Sequence, residues 1–273
     1  MKNFVMAQVR KLGRLASSKG LRPSLDAEIF GGVTCDPARL AQDLAQPCPE
    51  TLYVIYFTPR SGSSWLTDVL AKTGVLGNPV EWFNPGLMPR MAQGLNADNL
   101  KDYVALARRR TVQRGGFAFE ITMGHISRVF GSDAAYLAEF PASLPAFYLR
   151  REDMVLQAVS LAKAVHTQVY HSAHASAEDL KRSEAGFEYD GKEILRWLEH
   201  IRGQEEGLEA FFARHGIAPH RLSYEGITAA GAEATAQLFL DRTGRTPRRK
   251  LNLESGHTKI GTDKNQAFAD RFR

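Results

Sequence analysis

Short apolar runs alternate with polar turns along most of the chain. Leu52-Tyr53-Val54-Ile55-Tyr56-Phe57 is apolar on both alternating faces, which suits a central strand of a parallel sheet covered by helices above and below. A polar turn from Thr58 to Ser64 follows. A helical stretch then runs from Trp65 to Thr73, where Gly74 stops it. Further strands are predicted over Gly116–Thr122, Ala146–Arg150 and Arg221–Tyr224, and helices over Asp153–Tyr170, Lys192–His215 and Ala232–Arg242. Strands alternating with helices predict an α/β class fold, a three-layer domain with a mostly parallel central sheet. The polar stretch His171–Asp190 reads as a mobile surface insertion.

The domain is predicted to span residues 51–273, preceded by a basic extension and linker over 1–50. Residues 23–50 carry Pro23, Gly31, Gly32, Pro37, Pro47 and Pro49, with one helix over Pro37–Leu44. In residues 1–22, Lys2, Arg10, Lys11, Arg14, Lys19 and Arg22 interleave with Phe4, Val5, Val9, Leu12 and Leu15. That pattern fits an amphipathic helix touching the inner membrane surface, or a helical arm packed on the domain. No run approaches the roughly 20 apolar residues of a bilayer span, and the start lacks the apolar core of a secretory signal. The chain is therefore expected to be cytoplasmic. Its two cysteines, Cys35 and Cys48, have no metal-ligand spacing and read as free thiols. The net charge of +5 favours anionic ligands, but without a concentrated basic face it does not point to nucleic acid.

The turn Pro59-Arg60-Ser61-Gly62-Ser63-Ser64 is the most informative segment. It sits where a buried strand passes into a helix, so its N–H groups and the helix N-terminus form a concavity of partial positive charge. Gly62 permits backbone angles that other residues resist. The serines add hydroxyls, and Arg60 adds a fork for phosphate oxygens. A nucleoside-triphosphate loop would need a Lys and a magnesium-binding hydroxyl after its second Gly. No Lys stands here, so a single phosphate group suits the site better than ATP. A plain serine-capped turn is the alternative.

With Thr73-Gly74-Val75-Leu76-Gly77-Asn78-Pro79-Val80-Glu81-Trp82-Phe83 following it, this loop resembles the 5′-phosphosulfate loop of sulfotransferases that use 3′-phosphoadenosine 5′-phosphosulfate (PAPS). The match is closer to the bacterial carbohydrate branch typified by trehalose 2-sulfotransferase. Tyr148-Leu149-Arg150-Arg151-Glu152-Asp153 and Gln157-Ala158-Val159-Ser160 resemble that family's 3′-phosphate motif. The resemblance implies a P-loop-like domain that moves a sulfuryl group from PAPS to a hydroxyl of a carbohydrate or glycolipid. It also implies that no metal is required, and it suggests a homodimer. It implies that Arg60, Ser61, Gly62, Ser63 and Ser64 hold the phosphosulfate and that Arg151 and Ser160 hold the 3′ phosphate. Glu81 would be the general base, with Pro59, Asn78, Trp82 and Phe83 around the acceptor.

Other bases remain open on the residues alone: His125 follows a predicted strand, and His166 lies in a helix. His166, His171 and His174 are too unevenly spaced to make a good metal site. The chain departs from its relatives at Pro59, where they often carry Gln, and at Glu120, where they tend to carry Lys. Those departures motivate a second reading, a non-catalytic nucleotide-binding protein on a sulfotransferase fold. Residues 259–265 faintly resemble a nucleotide-closing loop, and the basic run from Arg242 to Lys250 reads as solvated.

Overall fold

The computed structural model describes residues 25–111, 115–170, 176–247, 252–257 and 261–273. The basic segment 1–22, His171, His174, Lys259, Ile260 and the basic residues 248–250 lie outside them. In chain order the elements are α1 (Leu25–Ile29), α2 (Pro37–Leu44), β1 (Thr51–Phe57), α3 (Ser63–Lys72), α4 (Met88–Leu95) and α5 (Leu100–Arg110). Then come β2 (Phe117–Ile121), α6 (Met123–His125) continuing as a π-helical turn over Ile126–Phe130, α7 (Asp133–Glu139) and β3 (Ala146–Arg150). The C-terminal half holds α8 (Met154–Thr167), α9 (Ala177–Gly186), α10 (Gly191–His215), β4 (His220–Ser223), α11 (Tyr224–Thr243) and α12 (Asp263–Phe272).

The four strands form one sheet in the order β2-β1-β3-β4, parallel throughout. The expected three-layer α/β arrangement is present. Strand alternation sorts the core into two faces. Val54, Tyr56, Phe117, Phe119, Ile121 and Tyr148 point into one, with Phe83, Tyr103, Phe130, Tyr136, Phe140 and Phe211. Tyr53, Ile55, Phe57, Ala118, Phe147 and Leu149 point into the other, against Leu66, Leu70, Ile227 and Phe239. The rings of Phe147 and Phe239 stack there with centroids 3.8 Å apart. A parallel sheet buried on both faces needs this double-sided apolar pattern.

Several expectations change. The stretch 171–190 holds an ordered helix, α9, opened by a capping box of Ser176 and Asp179. Its Ser183 is buried, as is Phe187 beyond its end. Polar composition hid it, because one apolar anchor is enough to dock a capped helix. Tyr224 belongs to α11 and not to β4, with Ser223 as the N-cap. α11 starts well before Ala232 and bends at Gly231. α4 and α5 were not anticipated. Upstream of β1, Ile29 and Phe30 are buried in the main core, and Phe30 meets Tyr103 edge to face at 6.1 Å.

Candidate active site

In a parallel sheet all strand C-termini share one edge, where ligands bind in open α/β folds. Residues directly after all four strands meet there around a cavity of about 740 Å³: Arg60 and Gly62 after β1, Thr122 and His125 after β2, Arg151 after β3, and Tyr224 after β4. α8, α10 and α12 complete its walls, through Ser160, Gln204 and Gln266 respectively.

The loop after β1 is shaped by local geometry. Arg60 has φ 69° and Gly62 φ 87°. A left-handed conformation costs a non-glycine residue roughly 1–2 kcal/mol, so the surroundings must hold Arg60 in it. Gln157 does so from α8, donating its side-chain amide to Pro59 O at 2.8 Å and to Thr58 Oγ1 at 2.9 Å. Ser61 is fully buried and donates its hydroxyl back to Thr58 O at 2.7 Å. Ser61 therefore shapes the loop by its side chain, whereas Arg60, Gly62, Ser63 and Ser64 line the cavity. Gly62 is the N-cap of α3 and brings no capping side chain.

A Cβ at Gly62 would stand 2.5 Å from Tyr224 Cδ2. Gly62→Ala is therefore expected to lower stability by about 2 kcal/mol, from the left-handed backbone together with displacement of the Tyr224 ring. Urea unfolding of the variant checks this.

The opposite wall of the loop comes from α8 and the end of β3. Arg60 Nε donates to Ser160 Oγ at 3.2 Å, and its Nη1 donates to Tyr170 O. Among the described residues Arg60 makes no ion pair. Burial works against its positive charge, and so does the neighbouring Arg151. Arg151 lies under Tyr224, its guanidinium carbon 4.9 Å from the ring centre, with Glu225 Oε1 at 3.7 Å. Its Nε is buried and has no hydrogen-bond acceptor. Two adjacent guanidinium groups, one without a carboxylate, make this end of the cavity a place where an anion lowers the energy.

The carboxylate end is built by the segment before α4. Gly77, at φ 76°, lets the chain pass β2 so closely that a Cβ there would lie 2.7 Å from Gly116 O. Glu120 N then donates to Val80 O at 3.2 Å, and Tyr103 Oη donates to Trp82 O at 2.6 Å. These bonds pin the backbone on both sides of Glu81, whose carboxyl reaches the cavity. Burial pushes that carboxyl up from the ordinary value, offset in part by Asn84 Nδ2, which donates to Glu81 Oε2 at 2.7 Å. His125 Nε2 stands 3.9 Å from Glu81 Oε2. Burial pulls the imidazole down to about 4, so it is neutral near pH 7 and the contact is polar, not ionic.

Not every anticipated residue is here. Trp82 and Phe83 are buried in the core, with Phe83 packed edge to face on Phe119 and Phe130 at 5.2 Å each. Neither is on the cavity wall, and neither is Asn78, whereas Pro59 is. His166 is exposed and near Phe187, away from the cavity. Among the described residues no three His, Cys, Asp or Glu side chains group as metal ligands. No described helix is long and apolar enough to cross a membrane. Sequence reasoning missed Tyr170, Tyr224, Asn84 and Gln204 as cavity residues. Only Asn84, one position beyond the Glu81 motif, left a local signal. Gly261 and Thr262, from the faintly loop-like segment, do line the cavity.

Comparison with known proteins gives matching results. The family described as Stf0 sulphotransferase matches residues 52–114 and 122–273. A trehalose 2-sulfotransferase of Mycobacterium tuberculosis is 25% identical, over 81% of this chain and 94% of that protein. A trehalose 2-sulfotransferase of Mycolicibacterium smegmatis is 24% identical, over 72% of this chain and 86% of that protein.

Proposed function

This chain belongs to the Stf0 sulphotransferase family, and on that premise we propose that it transfers a sulfuryl group from PAPS to a hydroxyl of a carbohydrate. The observation that carries the reading is the bond from Arg60 Nε to Ser160 Oγ at 3.2 Å. It joins two motifs a hundred residues apart into one cationic wall, and Glu81 lies on the same cavity.

The residues fit a nucleotide bearing two separate anionic groups. Arg60 lacks a carboxylate partner among the described residues, Arg151 Nε is buried without an acceptor, and α3 opens with a glycine in place of a capping side chain. PAPS supplies an activated sulfuryl group on a phosphate leaving group. Arg60, Gly62, Ser63 and Ser64 bind the phosphosulfate and balance the charge that grows on the leaving phosphate. Ser61 contributes its backbone and holds the loop. Arg151 and Ser160 bind the 3′ phosphate. Glu81 accepts the proton of the acceptor hydroxyl as that oxygen bonds to sulfur and the bridging bond to phosphate breaks. Asn84 steadies the Glu81 carboxyl.

His125 is a poor rival as base, since an imidazole held near 4 takes a proton reluctantly. The acceptor end is polar, with Asn84, Thr122, His125 and Gln204. It suits a polyhydroxylated acceptor bound by hydrogen bonds, and the names of the two relatives make trehalose the first sugar to try. A glycolipid headgroup would present the same chemistry.

Calorimetric titration with adenosine 3′,5′-bisphosphate (PAP), against ADP as the nucleotide lacking a 3′ phosphate, tests the binding half. PAP is expected to bind roughly 10–100-fold tighter, the worth of hydrogen bonds to a charged group. Equal affinity, or none, would overturn the reading.

A further inference from the structure

Lys163 is a charged side chain that the proposed chemistry leaves unused. It lies on α8, only 5% exposed, one turn after Ser160 and so about 4.5 Å further along the helix axis. Its Nζ donates to Glu184 Oε2 on α9, and to Asn265 Oδ1 on α12 at 3.2 Å. Glu184 reaches the start of α12 twice more. Its Oε1 accepts from Thr262 Oγ1 at 2.7 Å, and its backbone oxygen accepts from Lys264 Nζ at 2.8 Å. Asn265 is buried, and its Oδ1 also accepts from Thr262 N at 3.4 Å.

This network holds a part of the cavity wall. Gly261, Thr262, Asn265 and Gln266 line the cavity together with Ser160, whereas Lys163 and Glu184 stand behind them. The first turn of α12, Asp263-Lys264-Asn265-Gln266, carries no apolar side chain, so hydrogen bonds position it. The apolar anchors come later. Phe268 meets Phe187 at 5.4 Å, and Ala269 is buried with Ala158 and Ala162 of α8. The far end is tied separately: Arg273 Nη2 donates to both carboxylate oxygens of Asp153, the N-cap of α8, at 2.8 and 2.7 Å.

A buried ion pair seldom adds net stability over an apolar pair of similar size, and its best-attested use is to fix one register. We propose that the Lys163–Glu184 pair positions the start of α12 against the nucleotide, one helical turn from the Ser160 hydroxyl proposed to bind the 3′ phosphate. Both residues act through Thr262 and Asn265 and neither meets the ligand. The inference deepens the proposed function and rests on PAPS being the donor.

The experiment is calorimetric titration of PAP and of ADP, with thermal melts, on the wild type, Glu184→Leu, Lys163→Met/Glu184→Leu and Arg273→Ala. Glu184→Leu leaves a buried ammonium without its carboxylate and should melt roughly 10 °C lower. The double variant removes both charges and should melt within about 5 °C of wild type. Both should bind PAP about 10-fold more weakly, with ADP affinity within about 3-fold, because Thr262 loses its acceptor in each. Arg273→Ala loosens only the far end of α12 and should keep PAP affinity within about 3-fold. Should Glu184→Leu not fold, the double variant decides. Should that fail too, Lys163→Met, which leaves Glu184 hydrated at the surface, is judged by the same criteria. The inference is overturned if the double variant binds PAP like wild type, if PAP and ADP weaken together, or if Arg273→Ala costs as much PAP affinity. A wild type that binds PAP no tighter than ADP strikes the donor reading itself, and this inference with it.

Discussion

Glu81→Gln is expected to lower kcat for sulfuryl transfer by roughly 10²–10⁴-fold, the usual worth of a general base, with PAP affinity nearly unchanged. The amide keeps the shape of the carboxyl but cannot accept the acceptor's proton. The separation of kcat from PAP affinity is the useful signature. In the proposed reading Glu81 faces the acceptor end, whereas Arg60, Arg151 and Ser160 would hold the nucleotide. The pH profile adds a second readout. Glu81 serves as a base only when ionised, and burial raises its carboxyl above the ordinary value. Activity should therefore rise with pH along a limb lying above the ordinary carboxylate range, and that limb should vanish in Glu81→Gln. His125→Asn should retain the limb, because the imidazole, held down at about 4, stays neutral throughout it. Stopped-assay rates between pH 5 and 9, at saturating PAPS, measure both.

Arg60→Ala is expected to weaken PAP binding by about 100-fold, the upper worth of hydrogen bonds to a charged group. Arg60→Lys should recover little, because a point charge lacks the planar fork. Stability should move the other way. Arg60 has Arg151 as a like-charged neighbour and no carboxylate partner among the described residues. Removing it relieves repulsion in the ligand-free protein at the cost of the bonds to Ser160 and Tyr170. The variant should melt at or above the wild-type temperature while binding far worse. A fall in both would mean that Arg60 is chiefly structural. Thermal melts with and without PAP separate the cases.

The part of this architecture that is local in sequence was legible. The double-sided apolar run 52–57 announces a central parallel strand, and the small residues after it announce a strand-to-helix turn. Helices such as α8 and α10 follow from periodicity and caps. Approaches made only by folding were not legible. Nothing around Tyr224 signals that its ring packs over Gly62 and Arg151, and nothing at Tyr170 signals that its carbonyl receives Arg60. Trp82 and Phe83 illustrate the opposite error. Aromatic neighbours of a candidate base suggest a pocket lining, yet their large apolar area drives them into the core, and only the Glu81 side chain between them and the preceding loop faces the cavity. Ile29, Phe30 and Phe187 were overlooked because single apolar anchors in polar stretches carry no period.

The most direct test of the account is turnover itself. The full chain is incubated with PAPS and a panel of carbohydrates, and PAP and sulfated sugar are quantified together by mass spectrometry. The account predicts one PAP per sulfated sugar for at least one acceptor, with the yield suppressed in Glu81→Gln. Selective PAP binding with no sulfated product across the panel would contradict it and leave a nucleotide-binding protein built on a sulfotransferase fold.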